Sequence, residues 1–225
     1  MKKSILLWCF ALVLILELIS ISNPDWVSLR IVTKPLLASI LLFYFLLHRT
    51  DPKTKLWISF ALFFSLLGDI LLLLTDRSEN YFMFGLISFL LAHIFYIVQF
   101  SRKRNKNLNI LRPLVPLFIF GGLFFYFLKD SLGAMRLPVS IYIAVILTMA
   151  FFAFLRKGSV PKKSFDFVLM GAILFLISDG ILAIDKFQDH IPLSGVCIMG
   201  TYGLAQLFII LGILKEQDTK IPRVP

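Results

Sequence analysis

A chain of 225 residues that is 59% hydrophobic, carries 24 phenylalanines and has a mean hydropathy of +0.89 cannot hide its apolar surface inside one water-soluble core. Composition therefore excludes a soluble domain and points to an integral membrane protein. The net charge of +10 is accounted for by loop cations and anionic lipid, so no nucleic-acid partner is implied.

Apolar runs of about 20 residues, the length that spans a bilayer, fall at 4–22, 30–48, 56–75, 81–100, 110–128, 137–155, 165–185 and 193–214. They predict an all-α bundle of eight transmembrane helices, a single integral membrane domain over residues 1–225. Lys and Arg accumulate in cytoplasmic loops. The N-terminus with Lys2 and Lys3, the even-numbered loops and the tail with Lys215, Lys220 and Arg223 hold 17 of them. The opposite loops hold only Arg30, Arg77, Lys129, Arg136 and Lys186. Both termini are expected to be cytoplasmic, and the protein to lie in the cell (inner) membrane if it is bacterial.

The first run carries Glu17, a carboxylate that either reaches the interface or pairs with Lys34. A cleaved signal peptide is the alternative for this run, with Lys2-Lys3 as its basic start and Ser20 and Ser22 near a cleavage point. The Glu17 interruption and the spanning length favour a retained helix. The second run opens with Thr33-Lys34-Pro35, where proline suits a first helical turn. Lys34 has two readings, a cation snorkelling to the headgroups or one that binds a phosphate.

In the third run Ser65, Gly68 and Asp69 share a helical face at i, i+3 and i+4, small residues beside an acid. The fourth carries a small-and-polar stripe of Gly85, Ser88, Ala92, His93, Tyr96 and Gln99. His93 reads either as a hydrogen-bonded packing histidine or as part of a substrate or proton site. The loop from Arg102 to Arg112 is basic and solvated, and Pro113, Pro116 and Gly121-Gly122 give the fifth run bends and close contacts. The sixth begins Leu137-Pro138 and contains Tyr142. The seventh aligns Ala172, Phe175, Asp179 and Ala183, and the eighth places Tyr202 and Gln206 one turn apart.

An ionisable residue at membrane depth is costly and by default functional. Asp69 and Asp179 each lie six residues before the expected end of their run, roughly 9 Å below it. Equal depth predicts that the two acids face one another across a polar cavity, with Lys34, Glu17 and Tyr202 in the same half and His93, Tyr96 and Gln206 deeper. Lys34-Pro35 with Leu137-Pro138, Gly68-Asp69 with Ser178-Asp179, and Ala92-His93 with Ala205-Gln206 also suggest two four-helix repeats of the same orientation. Cys9 and Cys197 fall inside predicted helices and fit no disulfide framework. His48 and His190 belong near opposite ends, so no metal or other cofactor is expected.

Lys34-Pro35, Ser65 through Asp69, Gly85, Ala92-His93, Tyr96, Gly171-Ala172, Phe175, Ser178-Asp179, Tyr202 and Ala205-Gln206 together resemble the YhhN-type lysoplasmalogenase family across essentially the whole chain. The resemblance implies an eight-helix membrane hydrolase acting on the vinyl ether of lysoplasmalogens. Its site would hold Asp69 and Asp179 as catalytic residues, and Lys34, His93, Tyr96, Tyr202 and Gln206 around the lysophospholipid. Such a hydrolysis needs a general acid to protonate the vinyl carbon and a negative charge to balance the resulting cation. Low-dielectric burial and a neighbouring like charge both favour a protonated carboxyl, so a pair of buried aspartates suits it. The alternatives are a small proton-coupled transporter or a lipid-binding protein that uses the same acids; an intramembrane aspartyl protease rests on Gly68-Asp69 alone.

Overall fold

The structure, a computed structural model, describes residues 3–188 and 190–218. The terminal cations Lys2, Lys220 and Arg223, which entered the orientation argument, lie outside the described residues. Eight long helices follow one another: α1 Lys3–Ser22, α2 Arg30–Leu46, α3 Pro52–Leu72, α4 Asn80–Ser101, α5 Leu111–Leu128, α6 Arg136–Phe154, α7 Lys162–Phe187 and α8 Ser194–Asp218. Short 3-10 helices, Pro24–Leu29 and Gly133–Met135, lead into α2 and α6. All eight are long and apolar enough to cross a membrane, and no strand occurs among the described residues. The chain is an all-helical, multi-pass membrane protein.

Local chemistry sets the boundaries. α3 starts earlier than hydropathy predicts because the Asp51 carboxylate caps it, accepting from the Thr54 backbone N–H at 3.0 Å, with Pro52 in the first turn. Desolvation, the largest influence on that carboxyl, pushes it up. Bonds from Thr54 and the Arg102 guanidinium outweigh this and hold it well below the usual carboxylate range. Pro35 lies one turn deeper than expected, inside α2, because the 3-10 segment feeds straight into Arg30. Neighbouring helices make such interior prolines tolerable in a membrane.

Packing is mostly between helices consecutive in the chain. α3 lies on α4 and α7 on α8 as the most extensive pairs, α2 packs on α3 and α6 on α7, and α4 also touches α6 while α8 touches α1 and α2. Small residues allow the approach. A Cβ at Gly171 would stand 2.7 Å from the Ala205 carbonyl oxygen of α8, and one at Gly212 would stand 2.6 Å from the Val168 side chain and 3.0 Å from the Ser164 carbonyl oxygen of α7. Half of α8's spanning window is buried against 17% of that of α5, so α8 is central and α5, which packs chiefly on α6, is peripheral.

The end carrying the basic loops is closed by ions rather than left to solvent. Arg156, read from the sequence as a loop cation, is fully buried; it donates to Glu216 Oε2 at 2.9 Å and to Ser164 Oγ at 3.0 Å and lies over the Phe100 ring. Lys103 reaches the other Glu216 oxygen at 3.7 Å, so α4, α6, α7 and α8 share one ionic knot. It escapes a sequence reading because the two charges lie 60 residues apart.

Gly171→Ala is expected to destabilise the protein by about 1–3 kcal/mol, the usual cost of forcing a methyl into a packed contact. Gly122→Ala, with nothing within 4 Å of its Cβ position, is expected to be neutral or slightly stabilising. Thermal unfolding of the two variants in the same detergent checks the contrast.

Candidate active site

The polar groups inside the bundle fall into two sets, one around each aspartate. Asp69, on α3 and fully buried, accepts a hydrogen bond from the Tyr202 hydroxyl of α8 at 2.7 Å through Oδ2, and Lys34 Nζ of α2 stands 4.0 Å from Oδ1. Gln206, one turn beyond Tyr202, donates to Ser65 Oγ at 2.8 Å and to Tyr202 Oη at 3.5 Å, and its carbonyl accepts from the Tyr96 hydroxyl. Five helix positions predicted to matter, Lys34, Asp69, Tyr96, Tyr202 and Gln206, are thus brought into one network with Ser65.

Asp179 belongs to the second set. Its Oδ2 accepts from the Tyr142 hydroxyl of α6 at 2.6 Å and lies 3.2 Å from His93 Nε2 of α4, with Tyr142 Oη 3.3 Å from the same nitrogen. Both partners fall on Oδ2, leaving Oδ1 without a partner among the described residues. The Asp179 side chain keeps 16% of its surface exposed, where that of Asp69 keeps 1%. His93 Nδ1 is buried and unpartnered. Nε2–H pointing at Asp179 with a bare Nδ1 is the neutral tautomer that leaves no buried donor unsatisfied.

The expected polar cavity between facing acids is replaced by something different. Phe175 stands between the sets, its ring edge-on to His93 at 4.6 Å and to Tyr202 at 5.5 Å between centroids. Phe89 meets Tyr202 at 5.8 Å, over Gly68. No hydrogen bond joins the two carboxylates among the described residues. The cavity that reaches Asp179 is apolar, about 50 Å³, lined by Phe82, Phe89, Phe124, Tyr142, Leu176 and Ala183 among others, and Asp69 is not in its wall. Depth along the helices differs too: Asp69 lies three residues before the end of α3 at Leu72 and Asp179 eight before the end of α7 at Phe187. Apolar runs locate a helix in the sequence but not its last turn, where α3 loosens early and α7 continues.

Two charged residues also have other positions than expected. Lys34 is buried beside Asp69 and does not snorkel. Glu17 is buried as well, bound to the Thr33 hydroxyl and to Arg30 Nε at 3.2 Å, so its partner is the cation one turn before Lys34. Among the described residues, no group of three His, Cys, Asp or Glu side chains is placed to hold a metal ion.

The YhhN family matches residues 29–213, a span that carries both aspartates and the tyrosine bonded to each. The chain belongs to that family. Among its relatives, the Bos taurus protein named lysoplasmalogenase TMEM86A is 31% identical over 208 residues, which is 88% of this chain and 82% of that protein. The Mus musculus lysoplasmalogenase TMEM86B is 29% identical over 90% of this chain and 82% of its own length. A Mycobacterium tuberculosis lysoplasmalogenase is 28% identical over 74% of this chain and 63% of its own length. No solved structure matches the chain.

Tyr142 and Phe175 have placements in these polar sets that the sequence did not disclose. α6 has no polar stripe, and the available signal was a tyrosine in an apolar span one and a half turns from its interface, where tyrosines ordinarily concentrate.

Gln206→Leu removes the partner of three groups at once. Leaving buried donors and acceptors unpaired costs about 1–3 kcal/mol. The variant is expected to lose stability in that range or slightly above, measured by thermal unfolding, whereas Gln206→Glu, which keeps the acceptor for Tyr96, is expected to lose less.

Proposed function

We propose that this chain is a lysoplasmalogenase-like hydrolase that splits the vinyl ether of a lysoplasmalogen into a fatty aldehyde and a glycerophospho-headgroup, working within the membrane as one integral domain with both termini cytoplasmic. The named activity of its relatives supports the substrate class. The observation that carries the chemistry is the carboxyl of Asp179: one oxygen is fixed by Tyr142 and His93, the other is open, and the group stands at the wall of an apolar cavity.

Acid-catalysed cleavage of a vinyl ether begins with a proton on the β-carbon, giving an oxocarbenium ion. Asp179 supplies that proton from its open oxygen, and as a carboxylate it then balances the cation. Tyr142 and His93 hold the other oxygen, so the acid is oriented before substrate arrives. Water adds to the oxocarbenium carbon and returns a proton, and the hemiacetal breaks its C–O bond to the glycerol oxygen, which leaves protonated. The sum is one vinyl ether and one water giving one aldehyde and one alcohol.

Asp69 is the second carboxylate of this proposal. Lys34 and Tyr202 fix it, and its negative charge lies behind the ring of Phe175 from the reacting centre. In this arrangement Lys34, Tyr96, Tyr202 and Gln206 serve the substrate through Asp69 and the packing of α8. The inner membrane is the proposed location if the organism is bacterial.

Asp179→Asn is expected to lower aldehyde release by about 10²–10⁴-fold, the range for a lost general acid, with the protein still folded. Asp69→Asn is expected to lower it too, by less, because it acts on charge and position. Lys34→Met is expected to reduce kcat more than it raises KM. The check is vinyl-ether turnover by each purified variant next to its thermal unfolding. Near-wild-type turnover by a folded Asp179→Asn protein rejects the mechanism and moves a proton-coupled transporter or lipid-binding role ahead of it.

A further inference from the structure

The cavity at Asp179 runs along α7 toward the C-terminal end of that helix. Its wall includes Leu176 on the deep side of Asp179, then Gly180 and Ala183, and Phe187 at the end. Lys186 is exposed at that same end, seven residues after Asp179, so the two share a helix face two turns apart, about 10.5 Å along the axis. Its ammonium lies 5.2 Å from the ring centroid of Phe82, and Phe82 meets Phe187 edge-on at 5.7 Å. Both rings line the cavity, so the cation stands beside its wall at this end of α7.

No carboxylate pairs with Lys186 among the described residues. The adjacent Asp185 is occupied, 3.0 Å from His190 Nδ1 and accepting from the Ile191 backbone N–H at 2.9 Å. Lys34, the other cation at this end of the bundle with a claim on a phosphate, is buried against Asp69. An open carboxyl oxygen, an apolar wall beyond it and an unpaired cation two turns above it form an ordered series. Lysophospholipid chemistry has the same order. From the vinyl β-carbon to phosphorus there are seven covalent bonds, spanning roughly 9 Å in an extended zigzag that advances about 1.3 Å per bond, and the apolar chain leaves in the opposite direction.

We infer that Lys186 binds the phosphate of the lysophospholipid at this end of the cavity while the first carbons of the alkenyl chain lie in the cavity past Asp179, between Phe124 of α5, Ile146 of α6 and Leu176 of α7. This pose rests on the reading of Asp179 as the reacting acid and adds the recognition of the anionic headgroup. A volume of about 50 Å³, where one water takes about 10–15 Å³, admits only the beginning of the chain. The remainder passes the thinly buried α5 into the bilayer. Lysine acts here as a point charge beside the Phe82 ring, so arginine can replace it and methionine keeps only an uncharged stem.

The test uses saturated ligands, which cannot be hydrolysed, so it is independent of turnover. Binding of a monoalkyl-ether glycerophosphoethanolamine and of the neutral monoalkyl-ether glycerol is measured on the full-length purified protein. Lys186→Met is expected to weaken the phosphate-bearing ligand about tenfold or more, the scale of a lost charge-assisted hydrogen bond, and to leave the neutral ligand unchanged; Lys186→Arg is expected to bind both as wild type does. Gly180→Leu, whose side chain has room to enter the cavity because the nearest Phe124 atom is 3.8 Å from the Cβ position, is expected to weaken both ligands. Unchanged phosphate-ligand binding in Lys186→Met, or equal loss of both ligands, overturns the assignment of Lys186. Unchanged binding in Gly180→Leu overturns the chain path. Turnover of the vinyl ether by wild-type protein, measured separately, tests the reaction itself.

Discussion

The contact between Asp69 and Tyr202 is the constraint to which the rest of the bundle answers. A carboxyl with 1% of its side chain exposed needs hydrogen bonds and a counter-charge from protein, because lipid offers neither. Tyr202 supplies the hydrogen bond and Lys34 the charge, and they come from α8 and α2. α8 must therefore pass through the centre of the molecule, close enough to α7 that Gly171 and Gly212 leave no space for side chains. Removing one partner from a buried ion pair typically costs about 3–5 kcal/mol, so position and packing of these helices are tied to a single group.

The two aspartates look alike in the sequence, each preceded by a small residue in an apolar run, yet their surroundings give them different capacities. Asp69 has partners on both oxygens and sits behind an aromatic wall. Asp179 has both partners on one oxygen and lies in the wall of a cavity. In a pair of equivalent carboxylates the acid and the charge stabiliser would be interchangeable. Here Phe175, in edge contact with both sets, stands between them and keeps them distinct.

Much of this was legible beforehand. Helix number and near-correct limits follow from hydropathy, since a 20-residue apolar run has few alternatives. Asp69, His93, Tyr96, Asp179, Tyr202 and Gln206 stood out because a polar group in such a run is rare. What stayed hidden was partnership. Periodicity shows which residues share a helix face but not which helix that face meets, so Tyr142 with Asp179, Arg30 with Glu17 and Arg156 with Glu216 had no signature. The apolar character of the cavity was hidden for the same reason: its lining comes from five helices whose residues are each unremarkable for a membrane span.

The central place of α8 has a consequence for how the molecule is made. It follows α7 in the chain, and it brings Tyr202 for Asp69, Gln206 for Ser65 and Tyr96, and Glu216 for Arg156. Before it docks, the preceding helices hold Asp69 with Lys34 as its charge partner, Arg156 with Ser164, and Ser65 and Tyr96 without the amide that joins them. Unpaired polar groups at membrane depth are costly, so the order of the preceding helices depends on the docking of α8, which satisfies these groups in one step.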